Sequence, residues 1–115
     1  MAEQEAKAQD KTESKIVNVC ASLKVKEDKL DEFLAACETC IQKTNKEKGC
    51  IFYNCHQDLS DPTHIMFIEQ WETLEDLETH HNSQHVQDIF AVVDKCKAGE
   101  PNIMRFSGPK VALKK

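Results

Sequence analysis

From residue 16 to residue 25 the chain alternates. Val17, Val19, Ala21, Leu23 and Val25 share one parity; Ile16, Asn18, Cys20, Ser22 and Lys24 share the other. A period of two with β-branched enrichment predicts a strand whose uniformly apolar face meets the helices, while its semi-polar face looks elsewhere. The period then lengthens. Leu30, Phe33, Leu34, Cys37, Ile41 and Thr44 fall on one stripe of a helix running from 27 to about 45. Glu27, Asp28, Asp31 and Glu32 crowd its start, and Lys43, Lys46 and Lys48 its end, which suits the helix dipole. Gly49 is a natural stop.

Alternation returns at 50–58, with Ile51, Tyr53 and Cys55 on one face and Phe52, Asn54 and His56 on the other. Leu59, Ser60, Asp61 and Pro62 form a turn by composition. The third strand, 63–72, is then the hairpin partner of the second. It carries Ile65, Phe67, Glu69 and Trp71 on one side and His64, Met66, Ile68 and Gln70 on the other. Apolar residues on both sides imply a sheet covered twice. Thr73 caps a helix, with Asp76 as its capping-box partner, and Leu74 and Leu77 supply the apolar side. The run His80-His81-Asn82-Ser83 interrupts the pattern. A second helical segment, from 85 to about 97, repeats it with Val86, Ile89, Phe90 and Val93. Gly99 and Pro101 end that segment, and 102–109 is the last strand.

Strand, helix, hairpin, helix, strand is the split βαβ order, an α+β fold. Two helices cover one face of a four-stranded sheet. The other face still holds Cys20, Phe52 or Tyr53, and large residues of the third strand, so it calls for a partner. A second copy of the same sheet is the simplest one. Two sheets closing face to face leave a cavity in each half. The expected organisation is a polar tail at 1–15, one domain at 16–109 and a short tail at 110–115.

Composition narrows the function classes. The chain has 115 residues, 40% hydrophobic and 30% charged, with a formal net charge of −5 and both signs interspersed. There is no clustered basic face for nucleic acid. No apolar run approaches the roughly 20 residues of a membrane span, and the first residues carry no apolar secretory core. A cytoplasmic protein is expected, its six cysteines reduced thiols and mostly small buried hydrophobes. Cys37 and Cys40 form a CxxC pair well inside a helix rather than at its N-terminus, where redox pairs gain acidity. Cys50, Cys55 and His56 match no standard zinc spacing, and no metal is expected.

An ordered set of residues resembles a known family. It runs from Val17 through Val25-Lys26-Glu27-Asp28-Lys29 and Phe33 to Lys46-Glu47-Lys48-Gly49-Cys50, Tyr53, Asp58 and Asp61-Pro62. It ends with Phe67, Glu69-Gln70-Trp71, Leu77, His80, Ser83 and His85. This is similar to the antibiotic biosynthesis monooxygenase domain, a family that includes quinol monooxygenases. The resemblance implies a ferredoxin-like βαββαβ subunit, a homodimeric α/β barrel, and oxidation of phenolic or quinol compounds by dioxygen without metal, flavin or other cofactor. Haem-degrading relatives use an asparagine, a tryptophan and a histidine at positions that here read Ala21, His80 and Phe90. Haem chemistry is therefore not carried over.

Cofactor-free oxygenation needs a base within reach of an acidic C–H or O–H, in a pocket that excludes water. His80 and His85, at the break between helical segments, are the candidate bases. Glu69, a carboxylate inside an apolar strand, is the candidate orienting group. Trp71 and Tyr53 offer flat walls with polar tips, Phe67 a further wall, and Asn18 a hydrogen bond from the first strand. The Glu69 and Trp71 side of the third strand is taken to face the pocket. The expected reaction is monooxygenation of a small aromatic, quinol or carbonyl compound. A non-catalytic binder of a small hydrophobic ligand and a cofactor-free isomerase are the alternatives.

Overall fold

A computed structural model describes residues 15–109. The expected tails lie outside the described residues except for Lys15, which begins β1. Strand β1 (Lys15–Lys24) is followed by a single 3₁₀ turn (Glu27–Lys29) that leads directly into helix α1 (Leu30–Thr44). Strands β2 (Cys50–Gln57) and β3 (His64–Trp71) form the hairpin. Helices α2 (Leu74–His81) and α3 (Gln84–Cys96) follow, then β4 (Asn102–Pro109). The sheet order is β2-β3-β1-β4, antiparallel throughout. This is the ferredoxin-like α+β arrangement.

The core lies where the strand alternation places it. Val17, Val19 and Leu23 of β1 and Ile65, Phe67 and Trp71 of β3 are buried together with Phe33, Cys37 and Cys40 of α1, Leu77 of α2 and Ile89 of α3. Phe33 meets Phe67 edge to face, with ring centroids 6.2 Å apart, a geometry that suits the aromatic quadrupoles. The opposite parity of each strand points away from the helices. On that outer face Phe106 stands beside Asn18, Met104 beside Cys20, and Ser22 beside Met66.

One strand departs from strict alternation. The register of β2 shifts between Cys50 and Phe52, a β-bulge. Cys50 pairs with Trp71, Tyr53 with Glu69 and Cys55 with Phe67. The extra residue, Ile51, is thrown out to 44% exposure. It does not share the face of Tyr53 and Cys55, because a bulge sets two residues against one and breaks the period of two.

The turn from α1 into β2 depends on Gly49. Its φ is +80°, and a Cβ there would collide with the carboxylate of Asp76. Asp76 is fixed in turn: its backbone N–H donates to the Thr73 hydroxyl at 3.0 Å, and Thr73 donates back to its carboxylate at 2.9 Å. The Glu72 N–H closes the join by donating to the Gly49 carbonyl at 2.8 Å. The residues before β2 are thereby clamped to the start of α2. Gly49→Ala is expected to lower stability by about 1–3 kcal/mol, since it adds both a positive-φ strain and a steric conflict. Urea unfolding followed by Trp71 fluorescence measures this; an unchanged midpoint would show that the turn relaxes freely.

Candidate functional site

A cavity of about 410 Å³ lies between the sheet and the helices of one chain. Its floor is Ala21 and Leu23 of β1, Tyr53 of β2, and Phe67 and Glu69 of β3. Its roof is built from His80 and His81 of α2 and the Val86, Ile89, Phe90 and Val93 side of α3. This cavity lies on the helix-covered face of the sheet, the side to which Glu69 and Trp71 point. Room exists there because Ala21 is small and because the helical layer is broken at Asn82 and Ser83.

That break is specified locally. Ser83 caps α3 by accepting from the Val86 N–H, and its hydroxyl donates to the His80 carbonyl at 2.6 Å. One serine thus ends α2 and starts α3, and His80 is left in the last turn of α2 pointing into the core at 2% exposure. Its Nδ1 lies 2.7 Å from Glu47 Oε2. A carboxylate accepts, so Nδ1 carries the proton and Nε2 keeps its lone pair. Nε2 lies 3.9 Å from Glu69 Oε1. This is too long for a direct hydrogen bond, so neither atom is committed to the other and both line the cavity side by side. The imidazole packs against Trp71 at a tilt of 40° with centroids 4.6 Å apart, and leans on Tyr53 at 5.3 Å.

Glu69 is the polar exception in the cavity floor. It accepts from the Trp71 indole N–H at 3.0 Å. Burial pushes its carboxyl above the ordinary 4.5, while the Trp71 bond and the Arg105 charge pull the other way. Burial likewise holds His80 below the ordinary 6.5, against the opposing pull of Glu47, so the imidazole is neutral at neutral pH. His81 is also held low, by burial and then by Arg105. The Arg105 guanidinium donates to His81 Nδ1 at 3.1 Å. At the cavity mouth Lys97 is flanked by Glu100 and Asp94 at 3.1 and 3.5 Å.

The expected site residues divide into two groups. His80, Glu69, Tyr53 and Phe67 line the cavity together. Trp71 does not form a wall; it is fully buried behind His80 and acts on the site through its stack and its bond to Glu69. His85 is not on the cavity; its Nε2 donates to the same Glu47 oxygen at 2.9 Å. Asn18 is on the wrong side of the sheet, where it accepts from Gln70 Nε2 at 2.9 Å. The register decides this: Asn18 pairs with Gln70, and Val19 with Glu69. Directly opposed residues share a face, so Asn18 and Glu69 cannot both face the cavity.

Glu47, His81 and Arg105 were not expected at the site. Glu47 sits between two lysines and reads as part of a solvated charged run. Only the Gly49 turn folds it back beneath His80. The cysteine pair inside α1 is not set up as a redox centre. A hydrogen bond with Cys55 and burial push the Cys37 thiol up, and burial does the same to Cys40, the opposite of an activated thiolate.

Glu69→Gln separates the cost of this charge from its structure, since the amide oxygen still accepts from Trp71. A carboxyl raised in the fold contributes full stability below 4.5 and loses it as pH rises through the folded value. Wild type and variant should unfold alike at pH 4, and the variant should become the more stable of the two as pH increases to 8. Parallel denaturation series at the two pH values measure this. A variant that is less stable at pH 8 would show that the ionised carboxylate is well paired.

A family model for antibiotic biosynthesis monooxygenases matches residues 16–92, more than half of the chain. Among solved structures, a conserved protein from Methanosarcina mazei Go1 is 33% identical, with a TM-score of 0.76 over 79% of this chain and 90% of that one. A crystal structure described as an antibiotic biosynthesis monooxygenase shares the fold, with a TM-score of 0.75 at 23% identity over 78% of this chain and 95% of that one. Among relatives by sequence, the uncharacterized protein sll1783 of Synechocystis is 31% identical over 71 residues. These are 62% of this chain but only 48% of that protein, so the match spans about half its length. The sequence match, the βαββαβ sheet and the shared architecture agree: the chain belongs to the antibiotic biosynthesis monooxygenase family.

Proposed function

We propose that the chain is a cofactor-independent monooxygenase acting on a small aromatic, quinol or activated carbonyl compound, with His80 as its general base. The observation that carries this reading is the 2.7 Å contact between His80 Nδ1 and Glu47 Oε2. Glu47 holds Nδ1–H, and this leaves a basic Nε2 on the cavity side, opposite Glu69 and surrounded by apolar walls. Burial keeps that base in its free form near neutral pH and limits the water that would quench a carbanion.

For a substrate with an activated CH₂ group, the steps balance without an added reductant. Nε2 removes one proton, and the carbanion passes an electron to dioxygen. The radical pair recombines as a peroxide at that carbon. Loss of the second C–H proton breaks the O–O bond, leaving a C=O group in the product and one molecule of water. Glu69 and Tyr53 supply hydrogen bonds to the substrate oxygen, Phe67 packs against its ring, and Trp71 and His85 hold the base in place. The mixed-charge mouth suits a neutral ligand.

Oxygen uptake with a panel of quinols and polyphenols tests the reading. His80→Ala is expected to lower turnover by about 10²–10⁴-fold, the usual size of a general-base contribution. Glu47→Gln keeps an acceptor but loses the charge, so a smaller loss should follow. Equal uptake by wild type and His80→Ala would remove His80 from the chemistry. The nearness of Glu69, whose carboxyl is held high, to His80 favours one second reading, proton shuttling in an isomerase. Under anaerobic conditions an isomerase would exchange substrate protons with deuterated solvent, and an oxygenase would yield no product.

The partner of this reading is a second copy of the chain. Phe106, Met104 and Met66 are 54%, 56% and 37% exposed on the outer face of the sheet, which the helices leave uncovered. Among the described residues no helix is long and apolar enough to cross a membrane. Phe106→Glu would place a charge within an isologous interface on that face. It should convert a dimer to a monomer in analytical ultracentrifugation with the sheet intact by circular dichroism. A wild-type chain that sediments as a monomer at micromolar concentration would refute this.

A further inference from the structure

The Glu47 cluster has a donor set that base catalysis does not require. Glu47 Oε2 lies 2.7 Å from His80 Nδ1 and 2.9 Å from His85 Nε2, and the three potential ligand atoms all lie within 4.8 Å of one another. Base catalysis needs only the first contact. The second brings an imidazole from another helix onto the same carboxylate oxygen. Two imidazoles and one carboxylate form a set that suits first-row divalent ions and leaves coordination positions open. Tetrahedral ligands roughly 2.0–2.2 Å from a common ion are about 3.3–3.6 Å apart, so the two hydrogen bonds to Glu47 open by about half an ångström when an ion replaces their protons. The side chains of Glu47 and His85 are 15% and 16% exposed, so an ion reaches the cluster from solvent without passing through the cavity.

We propose that His80 Nδ1, His85 Nε2 and Glu47 Oε2 form a binding site for a divalent first-row transition cation such as Zn²⁺ or Co²⁺. The three ligand residues are held together without an ion. The Trp71 stack fixes the ring of His80, Ser83 fixes the break that separates the two histidines, and the Gly49 turn fixes Glu47.

Occupancy has a consequence that rests on the base role proposed above. An ion on Nδ1 takes the place of its proton, and the neutral ring then carries its hydrogen on Nε2. The same shift in His85 moves its hydrogen to Nδ1. No proton is released, but the cavity-facing nitrogen of His80 changes from acceptor to donor. The cation thus turns the base off while leaving the cavity walls in place.

The test uses the full chain labelled with ¹⁵N-histidine, with Co²⁺ as the probe. Expected results are visible d–d bands that saturate at one Co²⁺ per chain, displacement by Zn²⁺ and not by Mg²⁺, and a loss of affinity of roughly 100-fold in His85→Ala and in Glu47→Gln, the upper range seen when metal-site partners are removed. Circular dichroism checks the fold, and the near-isosteric Glu47→Gln guards against failure of His85→Ala. In Zn²⁺-loaded protein the His80 nitrogen signals should report hydrogen on Nε2. Unchanged Co²⁺ affinity in both variants would move binding to other groups, such as His56 or His64, and overturn the site. So would no saturation at millimolar Co²⁺. Binding and tautomer are read without substrate. If both behave as expected while metal-free protein consumes no oxygen, the cation site stands and the oxygenase reading falls.

Discussion

One carboxylate oxygen, Glu47 Oε2, receives hydrogen bonds from two imidazoles on two different helices, and the geometry of the site follows from that. A buried histidine can adopt either tautomer, and only a partner on one nitrogen decides which nitrogen remains basic. Glu47 makes that decision for His80. For Glu47 to be there, the chain must reverse sharply after α1, which requires a residue without a Cβ at position 49 against Asp76. For both histidines to reach it, the helical layer must break between them, which Ser83 does by bonding in both directions. The glycine and the serine are remote from any substrate, yet each sets a term in the same three-residue geometry.

Burial opposes the charges it surrounds. His80 and Glu69 are titratable groups in an apolar compartment, and burial moves their pKa values toward each other, His80 down and Glu69 up. In water the two differ by about two units; in the cavity the gap narrows. The fold tolerates this because the polar atoms are satisfied. Among the described residues no buried side-chain nitrogen or oxygen lacks a hydrogen-bond partner, and an unpaired one would cost about 1–3 kcal/mol. Trp71 contributes on both counts, donating to Glu69 and stacking on His80.

The architecture was legible because the periods are clean. Alternation in β1 and β3, the α1 stripe and the Thr73 cap each correspond to an observed element, while the Ser83 cap was missed and appears only as a break in the pattern. Alternation assigns residues to two faces of a strand, but it does not say how the faces of neighbouring strands align. That is a matter of register, and it is why Asn18 was grouped with Glu69 although the two point to opposite sides of the sheet. The bulge at Ile51 is a further case, since inserting one residue changes parity without changing composition. Glu47 illustrates a different limit. A charged residue flanked by lysines in a loop has the local signature of a solvated position, and its burial depends on a turn whose strict requirement shows only when Asp76 is in place. His80, by contrast, stood out, because a polar run that interrupts an apolar helical stripe is visible in the sequence itself.

The cavity and the uncovered apolar side chains lie on opposite faces of one sheet: Ala21, Phe67 and Glu69 line the first, and Phe106 and Met104 are exposed on the second. The two surfaces share a backbone. Val19 of β1 packs toward the helices beside Glu69, and its neighbours Asn18 and Cys20 face outward beside Phe106 and Met104. A copy docked on the outer face would therefore stiffen the strands that carry Glu69 and Trp71 without touching either. Its effect on the site would be on the precision with which Glu69 is held opposite His80, a separation of 3.9 Å in this structure.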